Sequence, residues 1–184
     1  MTLKEMKTEV LKLIEEINPE SEYLTDDPDI AAKINEVINL IQNELARIKK
    51  IPVRDEMEVS AGDEVDFSDI DKNMFQLNIV RGVKNDIIGD TIIFNEDGTA
   101  SIFYFKYPKQ ITSSTDEDTY KFELSNDVLG IMPYGVAGDL LKSDISAQYG
   151  QIYSNRYEQM LQRLDPRYHT GSLYIDGGDV DEFI

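Results

Sequence analysis

The chain has 184 residues, 41% of them hydrophobic and 29% charged, with no cysteine and a formal net charge of −18 from 36 Asp and Glu against 18 Lys and Arg. This composition suits one folded domain with a sizeable core and excludes a disulfide framework and a thiolate metal site. It also weighs against tight binding to DNA, RNA or an anionic membrane, because phosphate-tracking affinity comes from Lys and Arg displacing counterions.

In chain order, Leu3, Met6, Val10, Leu13, Ile14 and Ile17 recur at helical spacing and predict a helix over 2–17, with Thr2 and Glu5 spaced as a capping box and Asn18-Pro19 as its stop. A second helix is expected over 28–49, capped by Asp27, with Pro28 in its first turn and Ile34, Ile38, Ile41 and Leu45 on its buried face. Each stripe is one-sided, so the two are expected to pack as an antiparallel pair. After Pro52 the period falls to two. Val53, Met57 and Val59 suggest a strand, 63–71 an acidic loop, and Phe75, Leu77 and Ile79 a further strand. Residues 90–94 and 99–107 flank the turn signal Asn95-Glu96-Asp97-Gly98 and are expected to pair as a hairpin. A polar loop at 112–119 and a short strand at 120–124 follow.

The helical period returns at Ser125 or Asn126, with Val128, Ile131, Met132, Leu140 and Leu141 apolar and Pro133 kinking the helix. Gly135, Ala137 and Gly138 would let another helix come close. A last helix over 145–164 carries Tyr149, Ile152, Tyr153, Tyr157, Met160, Leu161 and Leu164, and Asp165-Pro166 ends it. The resulting expectation is an α+β domain. It is mainly a helical bundle of about four helices, 2–50 and 126–165, with a small inserted antiparallel β lobe at about 51–124. Residues 1–166 form the domain and 167–184 an extended C-terminal arm.

Chemistry is sparse, and no enzyme activity, cofactor or metal is expected. There is no Cys nucleophile, and the single histidine, His169, lies in a polar tail, where a surface role is commoner than a base. No Gly-rich phosphate loop or strand–turn–Ser elbow occurs. Asp176, Asp179, Asp181 and Glu182 around Gly177-Gly178 lack the spacing of an EF-hand loop and suit a solvated acidic tail, as Asp116-Glu117-Asp118 suits a solvated loop. Tyr104, Tyr107, Tyr149, Tyr153 and Tyr157 stand among carboxylates rather than cations, which favours packing over base stacking. The apolar runs, such as Ile102 to Phe105, are too short to span a bilayer, and the start of the chain lacks the features of a secretory signal.

Four stretches in order carry a resemblance. They are residues 99–108 (TASIFYFKYP), 120–141 (YKFELSNDVLGIMPYGVAGDLL), 153–164 (YSNRYEQMLQRL) and 171–178 (GSLYIDGG). Together they resemble the head–tail connector (adaptor) proteins of tailed bacteriophages and prophages. What the resemblance implies is a virion protein of the neck, assembled in the host cytoplasm. It would form a ring of neighbouring copies, usually twelve-fold, between the portal protein and the next tail component, with genomic DNA passing through the lumen without specific binding. The helical part would form the ring wall. The C-terminal arm would dock on the portal or a neighbour, with Leu173, Tyr174 and Ile175 adding a strand or filling a groove, and Phe183 and Ile184 as a further hydrophobic anchor. Other readings stay open: another neck or tail-completion component, an acidic DNA mimic that inhibits a nucleic-acid-binding enzyme, or a carboxylate-based metal hydrolase.

Overall fold

The computed structural model describes residues 1–21, 23–142 and 147–164. In it Thr2 and Glu5 close the capping box that their spacing predicts. The Glu5 amide donates to Thr2 Oγ1 at 3.2 Å and the Thr2 amide donates to Glu5 Oε2 at 2.8 Å. They open helix α1 (Leu3–Leu13), which stops short of the expected Ile17 and leaves Glu15 in a left-handed conformation at φ +61°. The Asp27 carboxylate accepts from the Asp29 and Ile30 amides at 2.8 and 3.1 Å and opens α2 (Pro28–Ile48). In this way each cap satisfies amides that the first helical turn leaves without partners.

Six strands follow: β1 (Ile51–Val59), β2 (Glu64–Asp66), β3 (Met74–Arg81), β4 (Asn85–Ile88), β5 (Thr91–Phe94) and β6 (Gly98–Lys106), with the single turn α3 (Phe67–Ile70) between β2 and β3. They form two three-stranded antiparallel sheets, ordered β1-β6-β3 and β2-β5-β4. The inner faces of the two sheets share a core of their own, in which Val59, Val83, Ile92, Phe94, Ala100, Ile102 and Tyr104 are buried. The chain then returns through 107–124 to the short α4 (Asn126–Leu129), α5 (Met132–Leu140) and α6 (Ala147–Leu164).

The fold is therefore α+β, but it is not mainly a helical bundle with a small β insert. The strands make two small antiparallel sheets with a core of their own, separate from that of the helices. Two of those strands were hidden in the sequence by their shortness and exposed carboxylates: β2 lies in the expected acidic loop and β4 in an unassigned stretch. The expected hairpin across 95–98 is also corrected. β5 and β6 are the central strands of different sheets, and the Asn95–Asp97 corner carries the chain from one sheet to the other. The tight hairpin is β4–β5, turned at Gly89-Asp90 with Gly89 at φ +62°. Residues 120–124 form no strand, only a bridge between Lys121 and Thr2, and they send Phe122 and Leu124 into the helical core. Nor do α1 and α2 pack chiefly on each other; both pack on α5.

α5 explains that arrangement. Met132, Pro133, Gly135, Val136, Ala137 and Gly138 are all buried, so the helix is apolar nearly all round and must be enclosed. Pro133 sits in its first turn, where the missing N–H had no partner, so the helix breaks at Gly130–Ile131 rather than kinking at the proline. The expected close approach is present. A methyl group at Gly138 would lie 2.6 Å from Ser154 Oγ and 3.1 Å from the Ser154 backbone nitrogen, and one at Gly135 would lie 2.9 Å from the Tyr157 ring.

The returning segment is held by side chains that replace backbone pairing. Asn39 Nδ2 donates to the Ile111 carbonyl and Asn39 Oδ1 accepts from the Ile111 amide, both at 2.8 Å. Gln42, fully buried, donates to Asn39 Oδ1 at 2.8 Å and to the Lys109 carbonyl at 3.1 Å. Further on, Glu117 pairs with the buried Lys7 at 2.5 Å, so it is not the solvated residue that its acidic neighbours suggested. No helix among the described residues is long and apolar enough to cross a membrane.

Two stability outcomes follow from this packing. Asn39→Ala leaves the buried Ile111 amide without its partner, and urea titration should show a loss of about 2–3 kcal/mol. Gly138→Ala should cost about 1–3 kcal/mol because the Ser154 backbone, unlike a flexible side-chain tip, cannot step aside; an unchanged urea midpoint would contradict the close approach.

Candidate interaction surface

Alternation along β6 turns Ala100, Ile102 and Tyr104 inward and Ser101, Phe103 and Phe105 outward. Register places Arg54 of β1 and Ile79 of β3 opposite Phe103, with Arg81 of β3 opposite Ser101. This brings cations onto aromatic rings across one outer sheet face. The guanidinium carbons of Arg54 and Arg81 each lie 5.5 Å from the Phe103 ring centre, and Lys50 Nζ lies 4.7 Å from that of Phe105. The row continues to the end of α2, where Arg47 stands 5.5 Å over Tyr107 and donates to its hydroxyl at 2.8 Å. Phe75 packs on the same Tyr107 ring at 4.6 Å. Beside this row a groove of about 490 Å³ is lined by Ile48, Lys50, Pro52, Phe105 and Glu123.

Charge on this face runs against that of the chain. Arg54 is paired with Glu56. Arg47, Lys50 and Arg81 form no ion pair with the described residues. A cation over a ring gains about 0.5–1 kcal/mol at an exposed site, and Arg47, Lys50 and Arg81 keep a charge that no described carboxylate neutralises, Lys50 while donating to Gln76 Oε1 at 2.8 Å. The expectation from sequence set the tyrosines among carboxylates and missed this face, because Arg47 comes from α2, Lys50 from the link after it, Arg54 from β1 and Arg81 from β3, and only the register unites them. One signal was available. The run Ile102-Phe103-Tyr104-Phe105 is apolar on both sides of a strand, which calls for cover on the outer side as well as the inner.

Compared with known protein families and with curated proteins, the chain finds no match. The surface must therefore be weighed on its own chemistry. Among the described residues no group of three or more His, Asp or Glu is placed to hold a metal ion. The partner-binding residues expected in the arm, Leu173, Tyr174, Ile175, Phe183 and Ile184, lie outside the described residues, as do His169 and the acidic end.

Two buried tyrosines carry the strongest electrostatic perturbations. Tyr104 is buried and donates to Asp55 Oδ2 at 2.7 Å, with Asp71 Oδ2 at 3.4 Å; burial, then the bond to Asp55 and the charges of both carboxylates, raise its pKa well above the ordinary 10. Tyr157 lies between α5 and α6, its hydroxyl buried without a hydrogen-bond partner. Burial first, then the charge of Glu44, toward which the hydroxyl points without reaching normal hydrogen-bond geometry, and then Asp139, raise it likewise. Glu44 is itself raised, chiefly by burial.

The two hydroxyls should respond oppositely to removal. Tyr104→Phe loses a charge-assisted bond and should destabilise by about 1.5–3 kcal/mol, whereas Tyr157→Phe removes an unpartnered group and should be neutral or stabilising. Both tyrosines have folded pKa values above the unfolded value of 10. Below pH 10 both hydroxyls are protonated in the folded and the unfolded chain; above it the unfolded chain ionises first, so stability falls as pH rises. Denaturant titrations from about pH 8 to about pH 11.5 should show the parent chain losing stability faster than the Tyr104→Phe variant; parallel curves would contradict the assignment.

Proposed function

We infer that the chain is a structural connector of a tailed bacteriophage or prophage, forming a ring between portal and tail with DNA passing through its lumen. The observation that carries this reading is the ordered series of connector-like stretches. Three of the four fall on elements around which the fold is organised: β6, the α4–α5 segment, and α6. Support also comes from the outer face of the first sheet. Aromatic rings under cations, three of which form no ion pair with the described residues, beside an apolar groove, offer area and charge to another macromolecule. Aromatic and Arg side chains are those that dominate such contacts. The portal, neighbouring copies and the next neck component are the partners this reading gives, and the virion neck is its location. The acidic-mimic reading draws less support, since a mimic has no use for cations gathered on one face.

The test is co-production of the full chain with the products of the genes flanking its own, followed by affinity purification and negative-stain electron microscopy. The expected result is a ring with an axial channel stacked on a portal ring, and a gene lying between capsid and tail genes. A chain that co-purifies with no portal, from a locus without virion genes, would overturn the reading.

A further inference from the structure

The outer face of the second sheet is the chemical complement of the first. Residues directly opposite in antiparallel strands point to the same side. The pairs Glu64↔Ile93, Asp66↔Thr91, Asp86↔Ile93 and Ile88↔Thr91 therefore put three carboxylates and two isoleucines on one surface. Ile92, opposite Val65 and Ile87, faces the buried core, which confirms that this set faces outward. Ile88 is 66% exposed, the most exposed of the large hydrophobic residues described. It lies on β4, whose far edge pairs with no other described strand. Glu64, Asp66 and Asp86 form no ion pair with the described residues. Asp66 accepts from Thr91 Oγ1 at 2.5 Å and Asp86 from Asn95 Nδ2 at 2.8 Å, which holds both carboxylates in place while leaving their charge unneutralised.

The inner faces of the sheets share one core, so the outer faces point away from each other. One carries Phe103, Phe105 and Ile79 among Arg54, Arg81 and Lys50, with Glu56 paired to Arg54 and Glu58 beside Thr99 at the far end of the strand; the other carries Ile88 and Ile93 among carboxylates. Neither can reach the other within one chain. We propose that the occupant of the cation–aromatic face is a second copy of this chain, docking the β4–β5 hairpin with Ile88 against Phe103 and Phe105, and Glu64, Asp66 and Asp86 against Arg81 and Lys50, which form no ion pair with the described residues. This names the neighbour contact of the connector reading and rests on that reading only for the closure of the ring. Protein carboxylates suit the face better than nucleobases do, because the cations already stand over the rings on which bases would stack. A guanidinium over a ring still presents its N–H groups to a carboxylate. The contact joins unlike faces, so every copy keeps one of each free for the next.

The chain has no cysteine, so a single one can report the contact. The full chain carrying Gln76→Cys, an exposed position on the cation–aromatic face opposite Phe105, is labelled with a benzophenone maleimide and irradiated at high protein concentration in low salt. The expected product is a covalent dimer whose joined peptide contains Ile88. Introducing Arg81→Glu should cut its yield at least about tenfold, because it sets like charges against each other. Mixing that reporter with a second chain carrying Glu64→Lys and Asp86→Lys should restore the yield. Restoration also shows that both variants fold, and the pair is needed because either alone loses the contact. A dimer joined through residues 165–184 would overturn the proposal in favour of the acidic tail as occupant. No dimer, or a yield indifferent to the charge changes, would overturn it outright. The measurement uses this chain alone, so failure to bind a portal defeats the connector reading without touching this result, and the converse also holds.

Discussion

The fold depends on a short helix that cannot stand in water. α5 has nine residues, too few to be stable alone, and six of them are buried. Its glycines bring α6 so near that a methyl group at Gly138 would meet the Ser154 backbone, while one at Gly150 of α6 would lie 3.1 Å from Leu141 Cβ and 3.2 Å from the Gly138 carbonyl oxygen. Close packing of this kind gathers many weak dispersion contacts and tolerates no added methyl group. α1, α2 and α6 all pack on α5, so the helices from both ends of the chain share one core. The β sheets are consequently an excursion: the chain must leave that core after α2 and come back to it before α4.

The way back is costly in polar groups and is handled by α2. Residues 107–124 have little regular structure, so their backbone amides and carbonyls lack ladder partners. Asn39 supplies both halves of a pairing to Ile111, as a neighbouring strand would. Glu123 accepts from the Lys109 amide at 2.9 Å and from Lys106 Nζ at 2.7 Å, tying the exit of β6 to the segment before α4. At the other end the Tyr120 and Glu117 carbonyls accept from the Leu3 and Lys4 amides, so the loop also finishes the cap of α1. The polar loop is thus a structural element, and the contacts that fix it also fix the direction in which the sheets leave the helices.

Local signals in the sequence were faithful where the physics is local. The capping box at Thr2, the Asp27-Pro28 start and the small residues of α5 all rest on interactions within a few positions or on volume alone, and each takes the expected form. Pairing was not legible. Alternation says which side of a strand is buried but not which strand lies beside it, so β5 and β6 looked like a hairpin although they serve different sheets. The expected weight of helix over sheet failed for the same reason, since three- and four-residue strands such as β2 and β4 carry almost no period to detect. The cation–aromatic face was least legible. Phe103 and Phe105 announce an outer surface in need of cover, but the cations that cover it lie far away in sequence, and only the β1-β6-β3 order assembles them.

A chain of net charge −18 repels its own copies at long range, and salt reduces that repulsion beyond about 10 Å at 0.1 M. At contact the local distribution of charge decides. Two cation–aromatic faces repel, and so do two acidic faces, so a symmetric pairing of like faces is disfavoured on either side of the sheets. Only unlike faces bring opposite charges and apolar groups together at once. Such a contact is heterologous: it leaves one face open at each end and continues until the rotation between copies closes a ring or fails to. In the contact proposed above, the acidic remainder would hinder non-specific clustering of copies and leave the orientation in which the sign of the surface is reversed as the favoured one. Net charge and local charge would then act in opposite senses in the same molecule, the first limiting how often copies meet and the second selecting how they meet.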